Sequence, residues 1–168
     1  MAASQDSFYV KVVGLATMTN SAGLQEVLEG ACRGGIRRFI FDLEECSGFD
    51  STFMGILLGV ALQGDGKNGE SNGSSPDGKV LTSVMLVNAT AAHSKLLAGV
   101  GIDRLVHLRR EPLKLPPVDL KRLEDGTADP QRRIRSIVYA HENLVRLGGP
   151  NIEKFGAMLE ALKRELED

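Results

Sequence analysis

Cysteine is scarce in this 168-residue chain. Cys32 and Cys46 are its two cysteines, and they form no CxxC or other metal-like spacing, so a disulfide framework is excluded and a reduced chain is expected. Histidine is equally sparse. His93, His107 and His141 are scattered and have no carboxylate or cysteine at ligand spacing, which leaves no expected metal. Long hydrophobic runs are missing too: the longest uncharged apolar stretch, Phe53 to Leu62, is about half of what a helix needs to cross a bilayer. No basic stretch followed by an apolar core opens residues 1–7, so neither a membrane span nor a leader is expected, and a cytoplasmic location follows. Neither sign of charge dominates, with 20 Lys+Arg against 22 Asp+Glu, and nucleic acid is therefore not an expected partner. A nucleophile with its base, a paired acid and base, and the GxxxxGK[ST] phosphate loop are all lacking. That argues against an enzyme and leaves no expected cofactor.

What is present alternates. Phe8 to Val13 and Phe39 to Leu43 are short β-rich runs, and Val80 to Val87 and Arg104 to Leu108 are two more. Between the first two, Leu24, Val27, Leu28 and Ala31 recur at helical spacing behind Ser21, a candidate N-cap, with glycines at the far end. A second helix spans Ser51 to Gln63, opened by Asp50 or Ser51, and a third spans Asn88 to Leu97. Strands alternating with helices predict an α/β layer with a mixed or largely parallel sheet.

Two segments break the alternation. Residues 64–79 hold glycines and no large apolar side chain and are expected to form a flexible insertion, and residues 109–128, rich in proline and charge, are expected to form an extended linker. The first domain is thus 1–108. Residues 129–168 then carry two amphipathic helices, the first opened by Asp129-Pro130 and the second capped by Asn151, with the short Gly-Gly-Pro-Asn connection of an α-helical hairpin. Phe155 and Leu159 are expected to face inward. The hairpin's apolar stripe requires burial on the first domain, on another copy in a homodimer, or on a partner.

The most informative stretch is Phe49 to Leu57, FDSTFMGIL, an acidic residue and two hydroxyls where a strand hands over to a helix. A helix start offers unpaired N–H groups and a partial positive charge, which suit a phosphate. The same residues also suit a plain N-cap, and local chemistry leaves both readings open. The following helix, Phe53 to Leu62, is apolar all round, so part of it must be covered by something other than the sheet: a partner protein or the chain's own hairpin.

Asp50-Ser51-Thr52-Phe53-Met54-Gly55 resembles the signature of anti-sigma-factor antagonists in the STAS family, Asp-Ser-Ser/Thr before a small or apolar residue, an aliphatic one and a glycine. The order of elements, Gly14-Leu15 after the first strand, Asn88-Ala89-Thr90 and Gly101-Ile102-Asp103-Arg104-Leu105 agree with it over residues 8–108. The resemblance implies a STAS-like α/β fold and a phospho-switchable binding module. It implies phosphorylation of Thr52, with Ser51 as the alternative, by an anti-sigma factor or related serine/threonine kinase, reversed by a phosphatase. Phe49, Asp50, Phe53 and Met54 would then form the partner-binding surface. The competing expectation is a scaffold or oligomerisation subunit in which these hydroxyls only cap a helix.

Overall fold

The computed structural model describes residues 1–3, 6–63, 82–114, 116–123 and 129–167. The elements run β1 (Ala2–Ala3), β2 (Ser7–Lys11), β3 (Gly14–Ala16), α1 (Ser21–Arg33), β4 (Arg38–Asp42), β5 (Cys46–Phe49) and α2 (Ser51–Leu62). They continue as β6 (Ser83–Val87), α3 (Ala91–Ala98), a 3-10 turn (Ile102–Arg104), β7 (His107–Leu108), α4 (Pro130–Arg146) and α5 (Pro150–Glu167). The expected glycine-rich insertion, 64–79, lies outside the described residues, as does part of the linker.

The fold is α/β, as expected. The main sheet has the order β1-β2-β4-β6-β7, in which β1 is antiparallel to β2 and every other pairing is parallel. Its register places Phe8 beside Phe39 and Val10 beside Phe41, and then Phe39 beside Val84 and Phe41 beside Leu86. Alternate residues share a sheet face. These six are all buried, whereas Tyr9, Ile40 and Met85 on the opposite face are half-buried. The Phe41 ring meets Phe53 of α2 edge-on at 6.2 Å, which seats α2 over the buried face.

A second, two-stranded parallel sheet joins β3 to β5. Neither strand stands out in the sequence, because GLA and CSGF are too short and too poor in β-branched residues. This small sheet fixes the approach to α2: the Asp50 N–H donates to the Ala16 carbonyl at 3.0 Å, directly after the last β5 residue.

The linker has no regular structure among its described residues but is pinned at several points. Asn88, held at a positive φ of 58°, donates from Nδ2 to the carbonyl of Leu113 and to Asp42 Oδ1, and accepts from the Leu113 N–H. Further on, Lys121 bonds the backbone of Met1, and Leu123 packs beside Gly23 of α1. The strap thus passes from the carboxyl end of β4 and β6 to the opposite edge of the sheet and delivers the chain to α4.

The two C-terminal helices form the expected hairpin, with Phe155 and Leu159 buried. Asn151 is not its cap. Helix α5 already begins at Pro150, and the buried Asn151 side chain donates to the carbonyls of Val100 and Leu144 at 3.0 Å, tying the hairpin turn to the loop before the 3-10 turn.

Candidate functional site

Helix α2 starts where β5 ends, and Asp50 is its N-cap. Asp50 Oδ1 accepts the Phe53 N–H at 3.0 Å, while Oδ2 accepts the Met18 N–H at 2.8 Å from the loop after β3. One carboxylate therefore caps the helix and holds the neighbouring loop against it. Asn20 reinforces that loop, accepting from the Thr17 N–H and donating to the Leu15 carbonyl.

The two hydroxyls that follow differ in their surroundings. Ser51 is half-buried, and Oγ lies 2.9 Å from Nε2 of His141 on α4. Nδ1 of the same ring is 2.8 Å from the Ile137 carbonyl. A carbonyl only accepts, so Nδ1 carries the proton, Nε2 of the neutral ring is the acceptor, and the Ser51 hydroxyl donates to it. Thr52 is only 3% exposed.

Helix α4 meets α2 along the side next to Thr52. Ser51, Gly55 and Gly59, spaced four residues apart, fall on one stripe of the helix, and Thr52 lies beside it. His141 touches Ser51; a Cβ at Gly55 would run into the backbone of Ala140; and one at Gly59 would meet the Tyr139 hydroxyl and the Asn143 amide. The two glycines let the helix backbones approach, and Asn143 Nδ2 donates to the Gly55 carbonyl at 3.2 Å across that contact. The uniformly apolar α2 thus has two covers, the sheet on one side and the chain's own hairpin on the other.

Burial pushes the His141 pKa down; the Ile137 carbonyl and the nearby Asp50 charge partly oppose this. Its ring also meets Phe155 of α5 edge-on at 5.1 Å. His93, on α3, is likewise held below the usual imidazole range by burial, and stacks on Phe49 at 5.3 Å.

Of the residues expected to meet a partner, Asp50 is the one that remains partly open. Phe49, Phe53 and Met54 are buried, with Phe49 and Phe53 packed ring against ring at 5.4 Å. Their side chains serve the core in this conformation. The apolar groups that do face outward next to this site carry no signal in the sequence: Val13 at 65%, Leu15 at 57% and Met18 at 46% exposure. Leu15 and Val13 also line a cavity of about 530 Å³, with Val10, Val12, Leu24 and Phe53. Ser21 at its edge already donates to the Thr17 carbonyl, Asn20 is committed as above, and Lys11 is paired with Glu45 at 2.6 Å. Lys121 and Arg122 also line it, so the cavity's lining mixes apolar side chains with basic ones.

Among the described residues no group of three or more His, Cys, Asp or Glu side chains is placed to hold a metal ion, and no helix is long and apolar enough to cross a membrane. The role of His141 is invisible to sequence reasoning, because a histidine far along the chain carries no local sign of its contact. The pair Gly55 and Gly59, one turn apart in an otherwise bulky helix, is the sign of a close helix approach that the sequence does hold. No family model and no curated protein matches this chain.

Proposed function

We propose that this chain is a phospho-switchable protein-binding module of the anti-sigma-factor antagonist kind, built on a STAS-like domain and acting in the cytoplasm without catalysis of its own. The observation that carries the reading is the placement of Asp50-Ser51-Thr52 at the start of α2, capped by Asp50 and flanked by the exposed apolar residues Val13, Leu15 and Met18. Thr52 is the phosphoacceptor in this reading, and Ser51 the alternative. The partner is a serine/threonine kinase of the anti-sigma type, and a phosphatase resets the site. Phosphorylation adds about −1.5 to −2 charge at pH 7 beside the Asp50 carboxylate. Like-charge proximity and desolvation at a contact surface then weaken partner binding.

A second reading, a non-phosphorylated STAS scaffold or oligomerisation subunit, is favoured by two facts: Thr52 is buried, and Ser51 is already engaged by His141. Incubation of the full chain with ATP and a kinase of the anti-sigma type, followed by phosphate-site mapping, separates the two. Phosphate on Thr52 or Ser51 is the expected result. A chain that binds the kinase and gains no phosphate at either hydroxyl, with the α4 contact intact or disrupted by Ala140→Glu, is the scaffold.

A further inference from the structure

We propose that the C-terminal hairpin is a tethered inhibitor of the Thr52 site, which opens by releasing α4 from α2 while the rest of the fold stays intact. The proposal rests on the reading of Thr52 as an acceptor and adds its regulation. A kinase needs the acceptor hydroxyl in its own active site, and a side chain 3% exposed cannot be delivered there.

The cover is specific in its chemistry. His141 takes the Ser51 hydroxyl at the start of α2, Ala140 sits against Gly55, and Asn143 bonds the Gly55 carbonyl one turn further on. These contacts lie along the stripe of Ser51 and Gly55, beside Thr52. The cover is also separable in its connections. Helix α4 follows a linker without regular structure among its described residues, and the strand pairing that sets Phe39 beside Val84 and Phe41 beside Leu86 does not involve it, while Ala140, Leu144 and Phe155 join the same buried cluster. Polar ties hold the hairpin at its edges: Arg132 pairs with Glu26 of α1, and Asn151 bonds the Val100 carbonyl. An element packed through one apolar helix face and a few polar contacts, with no strand pairing of its own, opens at lower free energy than the sheet beneath it.

The test uses the full chain with Thr52→Cys as a reporter of access to a thiol reagent, read by peptide mass. Cys32 and Cys46 are buried, and burial pushes the Cys32 thiol up to about 11, so both serve as internal controls for global unfolding. Two changes on the hairpin side release it. Ala140→Glu drives a charge into the contact with Gly55, and the milder His141→Ala removes the Ser51 partner and covers the case in which the first variant does not fold. The reporter thiol is expected to react slowly with the hairpin unaltered and about tenfold faster or more in the released variants, with Cys32 and Cys46 still protected. Equal reporter rates in all three chains overturn the proposal. Exposure of the reporter only together with Cys32 and Cys46 overturns it as well, because the hairpin would then be inseparable from the core. Phosphate-site mapping on the Ala140→Glu chain that retains Thr52 keeps the two readings apart: a freely reactive reporter thiol in the one chain, with no phosphate on Thr52 in the other, sinks the acceptor assignment and leaves the hairpin's gating intact.

Discussion

Asp50 joins three parts of the site through two oxygens and its backbone. It caps α2 through the Phe53 N–H, holds the exposed loop through the Met18 N–H, and is itself anchored to Ala16 of β3. Removing a capping carboxylate costs about 1 kcal/mol in general, and here a second N–H loses its acceptor as well. Asp50→Ala should therefore lower unfolding stability by about 1–2 kcal/mol in urea titration, with Asp50→Asn costing less because its carbonyl oxygen still caps the helix. Equal losses for the two would mean that the charge and not the cap matters. Asp50 is legible in the sequence as one of two candidate caps. The bonding of Ser51 is not, since its partner lies 90 residues away on a helix whose docking only the tertiary structure supplies.

Helix α2 shows how far patterning carries and where it stops. Its uniformly apolar sequence requires a second cover, and the structure supplies α4. Sequence alone cannot choose between hairpin and partner, because an apolar face specifies burial and not by what. The two glycines hold the missing information. Alanine is favoured over glycine in a helix interior by about 1 kcal/mol, so Gly55→Ala should stabilise α2 if only propensity mattered. A Cβ there collides with the Ala140 backbone, and overpacking of this kind typically costs about 1–3 kcal/mol. Collision wins, because backbone cannot rotate away as a side chain can. Gly55→Ala should thus show faster hydrogen exchange over residues 130–146 and no gain in stability; a stabilised chain with an unchanged hairpin would show that α4 does not seat on Gly55. The short strands β3 and β5 escape notice for the opposite reason, as nothing in three or four residues of mixed size signals pairing. Yet they set the angle at which α2 begins.

At the scale of the whole molecule, the two buried histidines give the fold a common direction of pH response, but only one of them touches the hairpin. His93 of α3 stacks on Phe49; His141 is faced by Ser51 and Asp50 from the start of α2, by Phe155 from α5 and by the Ile137 carbonyl of its own helix. Both have folded pKa values below the ordinary value, with burial as the main cause. A histidine of this kind binds fewer protons folded than unfolded, so its contribution to stability is fully present above the unfolded pKa of about 6.5 and is lost as pH falls from there through the lower folded value. Asp50 softens the effect at His141 without reversing it. Protonation would turn Nε2 from acceptor into donor, so the contact with Ser51 can persist with reversed roles; what is lost is the solvation of a cation placed against Phe155. Exchange of hairpin amides 130–166, corrected for the intrinsic pH dependence of exchange, is therefore expected to accelerate relative to that of β4 as pH falls below about 6.5. His141→Gln, which keeps a polar group and cannot charge, should flatten that response while leaving the share due to His93 in global unfolding. If the hairpin's exchange in the variant followed pH as it does in the parent chain, the acid sensitivity of docking would not lie in the Ser51–His141 contact.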